Sequence, residues 1–213
     1  MSKKLLLGSN PKMRKGIAIL WLLLLFSGIS ALFWFNEWKY SLPTPVPVGY
    51  HLVKPGDLVD LPAEAGFVNN KPVFLHFFNP DCPCSKFNIP HFKSLVKKYG
   101  KEISFVVVAI CKDKKYTASD IQEKFGLDIP VLFDSSIANS CGVYSTPQAA
   151  IIDVNHKLYY RGNYNRSRYC SDKNSEYAQM AIDSLLSNHT SPVFGIAAVK
   201  SYGCSLPGCK RPG

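Results

Sequence analysis

The residues in this chain best suited to chemistry are Cys82 and Cys84, separated only by Pro83. They follow an apolar, β-rich run, Pro72-Val73-Phe74-Leu75-His76-Phe77-Phe78. They precede Phe87, Ile89, Phe92, Leu95 and Val96, which are spaced as one face of a helix. A thiol at the start of a helix feels the positive end of the helix dipole and its unpaired N–H groups. Both favour the thiolate, the reactive form of cysteine. Three chemistries are open to such a pair: disulfide exchange, metal ligation and structural bridging. On the redox reading Cys82, at the loop end and expected to be the more exposed, is the nucleophile. Cys84 then attacks the mixed disulfide from the first helical turn. A Cys82–Cys84 disulfide closes a small ring, which predicts a strained and more oxidising couple. Asp81, just before Cys82, opposes thiolate formation. The alternative is that Cys82 and Cys84 each pair elsewhere, since five other cysteines follow: Cys111, Cys141, Cys170, Cys204 and Cys209. Cys204 and Cys209 are read as a second redox pair or a structural disulfide, with Cys170 a further partner for either set.

The elements that must position these thiols alternate regularly. Val73 to Phe78 reads as a buried strand and Lys86 to Tyr99 as a helix stopped by Gly100. Ile103 to Ile110 is a continuous apolar, β-branched run, as expected of a central parallel strand covered on both faces. Ser119 to Phe125 is a second helix ended by Gly126. Val131 to Asp134 is a short strand and Ser135 to Cys141 a brief helix. Gln148 to Asp153 and Lys157 to Arg161 form a hairpin about Val154-Asn155-His156. Ser175 to Leu186 is the last helix. This order predicts an α/β fold with a mixed central sheet flanked by helices. His76 shares a strand face with Phe74 and Phe78. It is either a buried, hydrogen-bonded core histidine or a proton acceptor for Cys84.

Taken in order, these pieces resemble the thioredoxin-like superfamily, and in particular the membrane-anchored, exported thiol-disulfide oxidoreductases of bacteria. The resemblance runs from about Val73 to Leu186. It rests on the strand–Cys82–helix arrangement, on Ser145-Thr146-Pro147 ahead of a strand, and on Ile152-Asp153-Val154-Asn155 followed by Lys157-Leu158-Tyr159-Tyr160-Arg161-Gly162. It implies a thioredoxin-like fold with Cys82 and Cys84 as catalytic residues. It also implies a cis Thr146–Pro147 bond facing the thiols and presenting the Thr146 backbone to a bound peptide, and a supporting role for His76. The implied partners are exported cysteine-containing proteins and an electron donor or acceptor, with no cofactor and no metal. The family's usual spacing of two residues between the cysteines is shortened here to one. The Pro-x-x-x-Thr/Ser-x-x-Cys pattern of the peroxiredoxins is absent, because Asn79 and Asp81 stand three residues before Cys82 and Cys84. A rival reading is a copper-binding metallochaperone of the Sco type, with His91 and His156 as the remaining histidine candidates. A second rival is an interaction protein that keeps the fold without the chemistry.

The N-terminus sets the compartment. Lys3, Lys4, Lys12, Arg14 and Lys15 precede an uncharged apolar run from Gly16 to Phe35. About 20 apolar residues suffice to cross a hydrocarbon core of ~30 Å, and the basic flank predicts that the N-terminus stays inside. Trp34, Trp38 and Tyr40 resemble an interfacial aromatic belt. The greasy run continues past Gly28 and Ser30, which favours a signal-anchor over a cleaved signal peptide. The predicted organisation is a basic cytoplasmic stub at 1–15, a transmembrane helix at 16–36, a Pro-rich spacer at 37–49, a thioredoxin-like domain at 50–187 and a Cys-containing tail at 188–213. The predicted location is the bacterial inner membrane, single-pass, with the domain facing the periplasm or exterior. All seven cysteines follow the span, so they would meet an oxidising compartment. Half of the formal charge of +10 lies in the stub, and there is no arginine-rich block. The composition therefore gives no support to nucleic-acid binding.

Overall fold

The computed structural model describes residues 11–38, 42–62, 65, 70–111 and 116–206. The chain divides into two compact units, Met1–Lys39 and Tyr40–Gly213. Lys3, Lys4, Tyr40 and Cys209 lie outside the described residues.

The first unit is helix α1, Pro11–Phe33, continued by a wider turn of π-helix over Trp34–Trp38. Its described part begins ahead of the apolar run, at Pro11. None of its residues is buried, and apolar side chains cover its whole circumference from Ile17 to Phe33. A helix greasy on all sides needs either a protein core or lipid around it. It is one helix long and apolar enough to span a membrane. Trp38 packs on Phe33 and Trp34, with ring centroids 6.4 Å apart in each pair.

The second unit is built on strand β1, Val73–Phe78, which is buried along its whole length. It pairs in parallel with β2, Ser104–Ala109, from Val73↔Ser104 to Phe78↔Ala109. On its other side it pairs antiparallel with β5, Gln148–Ile152, from Val73↔Ile152 to Phe77↔Gln148. Strand β3, Val131–Leu132, extends the parallel edge, and β6, Leu158–Gly162, completes the hairpin with β5. The sheet order is β3-β2-β1-β5-β6. Burial on both faces explains why β1 and β2 are continuous apolar runs rather than alternating ones.

Alternation along β1 feeds two cores. Phe74 and Phe78 join Phe92, Leu95, Phe105, Ile121 and Ile182 on one face. That face is covered by helices α2 (Pro83–Tyr99), α3 (Ala118–Phe125) and α5 (Tyr177–Leu186). Val73, Leu75 and Phe77 join Val53, Ile137, Val143, Ile152 and Leu206 on the other, beside the short helix α4 (Ser136–Ser140). Helix α3 begins with a reciprocal Thr117–Asp120 capping box and ends at Gly126, whose left-handed φ of 60° suits glycine. The hairpin turn is held by the Asp153 carboxylate, which accepts from the N–H groups of Asn155 and Lys157.

Within the expected Cys-containing tail, the described residues return to the body of this unit. They form a short helix α6, Ile196–Val199, and a two-residue strand β7, Cys204–Ser205. Strand β7 pairs antiparallel with β4, Ser145–Thr146, as Ser145↔Ser205 and Thr146↔Cys204.

Candidate functional site

Cys82 stands where β1 ends and α2 begins, as the residue capping the helix N-terminus. Pro83 occupies the first helical turn, so the helix opens three residues earlier than the apolar spacing suggests. The approach loop is fixed locally. The Asn79 side chain accepts from the Asp81 N–H, the Asn79 N–H donates to Ser85 Oγ, and the Cys82 N–H donates to the Asn79 carbonyl. No side chain caps α2, which leaves its first N–H groups and the dipole directed at the thiols.

Cys82 is bonded to Cys204, with the Cα atoms 6.3 Å apart and a sequence separation of 122. The expected Cys82–Cys84 bond is therefore not the one present. Nor is Cys204 paired with Cys209. Cys84, Cys111, Cys141 and Cys170 are thiols. The sulfur atoms of Cys82, Cys84 and Cys204 nevertheless lie within 4.8 Å of one another. The pair of cysteines read from the sequence is thus a cluster of three. Cys82 is not the exposed thiol that its loop position suggests. It is 2% exposed, with the returning segment bonded to it, while Cys84 is fully buried.

Opposite the sulfurs, Thr146–Pro147 is a cis peptide bond. Cys82 Sγ lies 3.9 Å from the Thr146 carbonyl oxygen. Strand β4, Ser145–Thr146, carries the main-chain pairing to β7, so the Thr146 backbone does face an extended segment, and that segment belongs to this chain. Gly203 makes the approach possible. Its φ is +117°, and a Cβ there would stand 2.4 Å from the Thr146 carbonyl oxygen.

A polar scaffold holds the segment before β7. Asn163, buried at the end of β6, donates through Nδ2 to the carbonyls of Ala197 and Lys200 at 2.8 and 2.7 Å. Gln148 donates to Ser201 Oγ at 2.6 Å. The Thr44 N–H donates to the Ser201 carbonyl at 2.9 Å, and Tyr202 Oη donates to the Asn165 carbonyl. Leu206 then anchors in the second core. Sequence reading missed this scaffold and the partner of Cys82. The available signals were the odd cysteine count and the glycine directly before Cys204.

His76 sits inside the aromatic core, fully buried. Its ring stacks on Phe92 at 4.2 Å, and Nδ1 is 2.7 Å from Tyr164 Oη. Nε2 has no hydrogen-bond partner among the described residues. Burial pushes its pKa down to about 3, so the imidazole is neutral at physiological pH. These partners fit the core-histidine reading of the sequence rather than a base for Cys84. Another thiol borders the cluster. Asn88, one turn beyond Cys84 on α2, donates to Cys170 Sγ at 3.1 Å. Burial pushes the Cys170 thiol up to about 11, against the opposing pull of the Asn88 bond. Desolvation raises the Tyr202 phenol as well, and Cys170 and Cys84 add to the shift.

When reduced, Cys82, Cys84 and Cys204 form a soft three-sulfur donor set of the kind that suits Cu(I). Among the described residues no histidine joins this set; His156 is exposed in the hairpin turn. The arrangement serves disulfide exchange directly. Two sulfurs share a disulfide, one thiol is adjacent, and a helix N-terminus stabilises a departing thiolate.

Three parallel strands, an antiparallel hairpin, a redox-capable cysteine pair at the first strand–helix junction and a cis-proline facing it define a thioredoxin-like protein. The chain belongs to the family described as a domain of unknown function, DUF6436, which matches residues 56–206. It is 22% identical over 104 residues to the thiol-disulfide oxidoreductase ResA of Halalkalibacterium halodurans, covering 48% of this chain. The match spans 59% of that relative's length. Among solved structures it resembles a hypothetical protein of Sinorhizobium meliloti, with a TM-score of 0.61 and 18% identity, over 74% of this chain and 96% of that one. It also resembles an uncharacterized conserved protein of Geobacillus kaustophilus, with a TM-score of 0.58 and 23% identity, over 78% and 97% of the two chains. The two structures bear on the fold alone.

Proposed function

We propose that this protein is a membrane-anchored thiol-disulfide oxidoreductase that exchanges disulfides with exported, cysteine-containing proteins. One observation carries the reading: three sulfur atoms gathered within 4.8 Å at the N-terminus of α2, beside the cis Thr146–Pro147 bond. In the reducing direction the Cys82 thiolate attacks a substrate disulfide, forming a mixed disulfide and releasing one substrate thiolate. A second protein thiolate, from Cys84 or Cys204, attacks Cys82 Sγ and expels the other. The substrate gains two electrons and two protons, and the protein is left with one disulfide. The reverse sequence oxidises a substrate dithiol. The likeness to a relative named as a thiol-disulfide oxidoreductase supports the reading, as does helix α1 with its basic N-terminal flank. In this reading α1 holds the protein in the bacterial inner membrane with the thioredoxin-like unit outside.

Because two thiols stand ready to resolve a mixed disulfide, removing one should not trap substrates. Cys84→Ser alone should accumulate few mixed disulfides with exported proteins. Cys84→Ser combined with Cys204→Ser should accumulate many, and adding Cys82→Ser should abolish them. Non-reducing electrophoresis of acid-quenched cells reads the result. Trapping that persists without Cys82 would refute the assignment of the nucleophile.

A further inference from the structure

The geometry points to strand β7 as a built-in stand-in for the substrate: it fills the docking edge for an extended Gly-Cys segment and leaves by thiol exchange with Cys84. The inference rests on the oxidoreductase reading and deepens it.

Strand β4 lies outside the five-stranded sheet, and its ladder partner is β7. Pairing there is strand addition. Main-chain hydrogen bonds supply affinity without regard to sequence, and side-chain fit supplies selectivity. The fit at this edge is specific in one place. The residue before the cysteine lies against the Thr146 carbonyl, and only glycine leaves room for it. The cysteine that follows lies opposite Thr146 in the ladder, and its sulfur is joined to Cys82. A bound protein substrate captured as a mixed disulfide would present these same features. The substrate class is therefore an extended, mobile segment carrying glycine directly before cysteine.

The release step needs no outside reagent. The Cys84 thiolate attacks Cys82 Sγ, the Cys82–Cys84 bond forms and the Cys82–Cys204 bond breaks. Cys204 departs as a thiolate and takes up the proton that Cys84 gave away. One disulfide is present before and after. All three sulfurs already lie within 4.8 Å, so the exchange requires no large movement. Afterwards β7 is held by non-covalent contacts, namely main-chain pairing, the hydrogen bonds at Ser201, Tyr202 and Gly203 and the Leu206 anchor, and a competing strand can displace it.

The test uses the reduced full-length protein in detergent and two chromogenic probes. One is Ellman's disulfide. The other is a synthetic peptide with the sequence of residues 199–206, whose cysteine carries thionitrobenzoate as a mixed disulfide. A tethered strand competes at an effective concentration of order mM, so against ~0.1 mM peptide its removal should speed the peptide reaction about tenfold. Gly203→Ala dislodges the strand by the Thr146 clash and leaves every cysteine in place. The expected result is that Gly203→Ala reacts about tenfold faster with the peptide while its rate with Ellman's disulfide stays within about twofold of the parent. Unchanged peptide rates, with the small disulfide still reacting, overturn the role of β7. Failure of the parent protein to react with the small disulfide at all overturns the oxidoreductase reading, and the role of β7 falls with it.

Discussion

Burial sets the protonation of the side chains behind the thiols. His76 is enclosed by Phe78, Phe92 and Tyr164, with no charge beside it to offset desolvation. Its pKa of about 3 in the folded protein lies below the 6.5 of an exposed histidine. The unfolded chain thus binds a proton that the folded one refuses, wherever the pH lies between these values. Stability is fully present above pH 6.5 and falls as the pH drops toward 3, by about 1.4 kcal/mol per unit. Chemical denaturation of the parent and of His76→Phe between pH 7 and 4 measures the effect. The parent should lose stability steeply over this range, and the variant should show a flatter dependence. The depressed carboxyls of Asp120, Asp134 and Asp172 add their own loss nearer pH 4, and they are common to both proteins. Equal slopes would show that His76 titrates normally.

Among the elements, the least conspicuous one does the most to shape the site. Strand β7 is two residues long and gains little from its own ladder, so the scaffold before it must hold it in place. Asn163 supplies two hydrogen bonds from a buried amide, to the carbonyls of Ala197 and Lys200. Asn163→Ala should leave both carbonyls short of a donor, at about 1–3 kcal/mol. The expected outcome is faster amide hydrogen exchange across residues 196–206 with little change in β1 and β2. Uniform exchange rates would mean that the segment is held by other contacts. This element also marks the limit of sequence reading. Strand β1, helix α2 and the β5–β6 hairpin announce themselves through local signals: an apolar run, the spacing of one helix face with Gly100 after it, and two strand-like runs about a short turn. The α/β fold follows from the order of those signals, and the cis Thr146–Pro147 bond is what the resemblance to the thioredoxin-like superfamily implies. The pairing of β4 with β7 has no such signal. It joins residues about 60 positions apart through main-chain groups that every residue possesses, and two-residue strands carry no periodicity. For the same reason Cys82 and Cys84 were legible as a site, while the bond to Cys204 was not.

At the scale of the whole molecule, the chain joins an apolar helix to a disulfide-bearing unit, and the two features reinforce one compartment. Structural disulfides persist outside the reducing cytosol, and basic residues before the apolar run from Gly16 favour an inward N-terminus. Protease added to spheroplasts should degrade the thioredoxin-like unit and leave a membrane-bound N-terminal fragment. Full protection would place the cysteines on the reducing side and remove the basis for their exchange with exported proteins.

The central claim is that Cys82, Cys84 and Cys204 act as one redox centre. Mass-spectrometric disulfide mapping of the full-length protein, purified without reductant and alkylated under acid quench, tests it most directly. The account predicts peptides linked through Cys82–Cys204 with Cys84 alkylated, together with a minor population linked through Cys82–Cys84. Cys204 joined to Cys209, with no link from Cys82 to either partner, would contradict it.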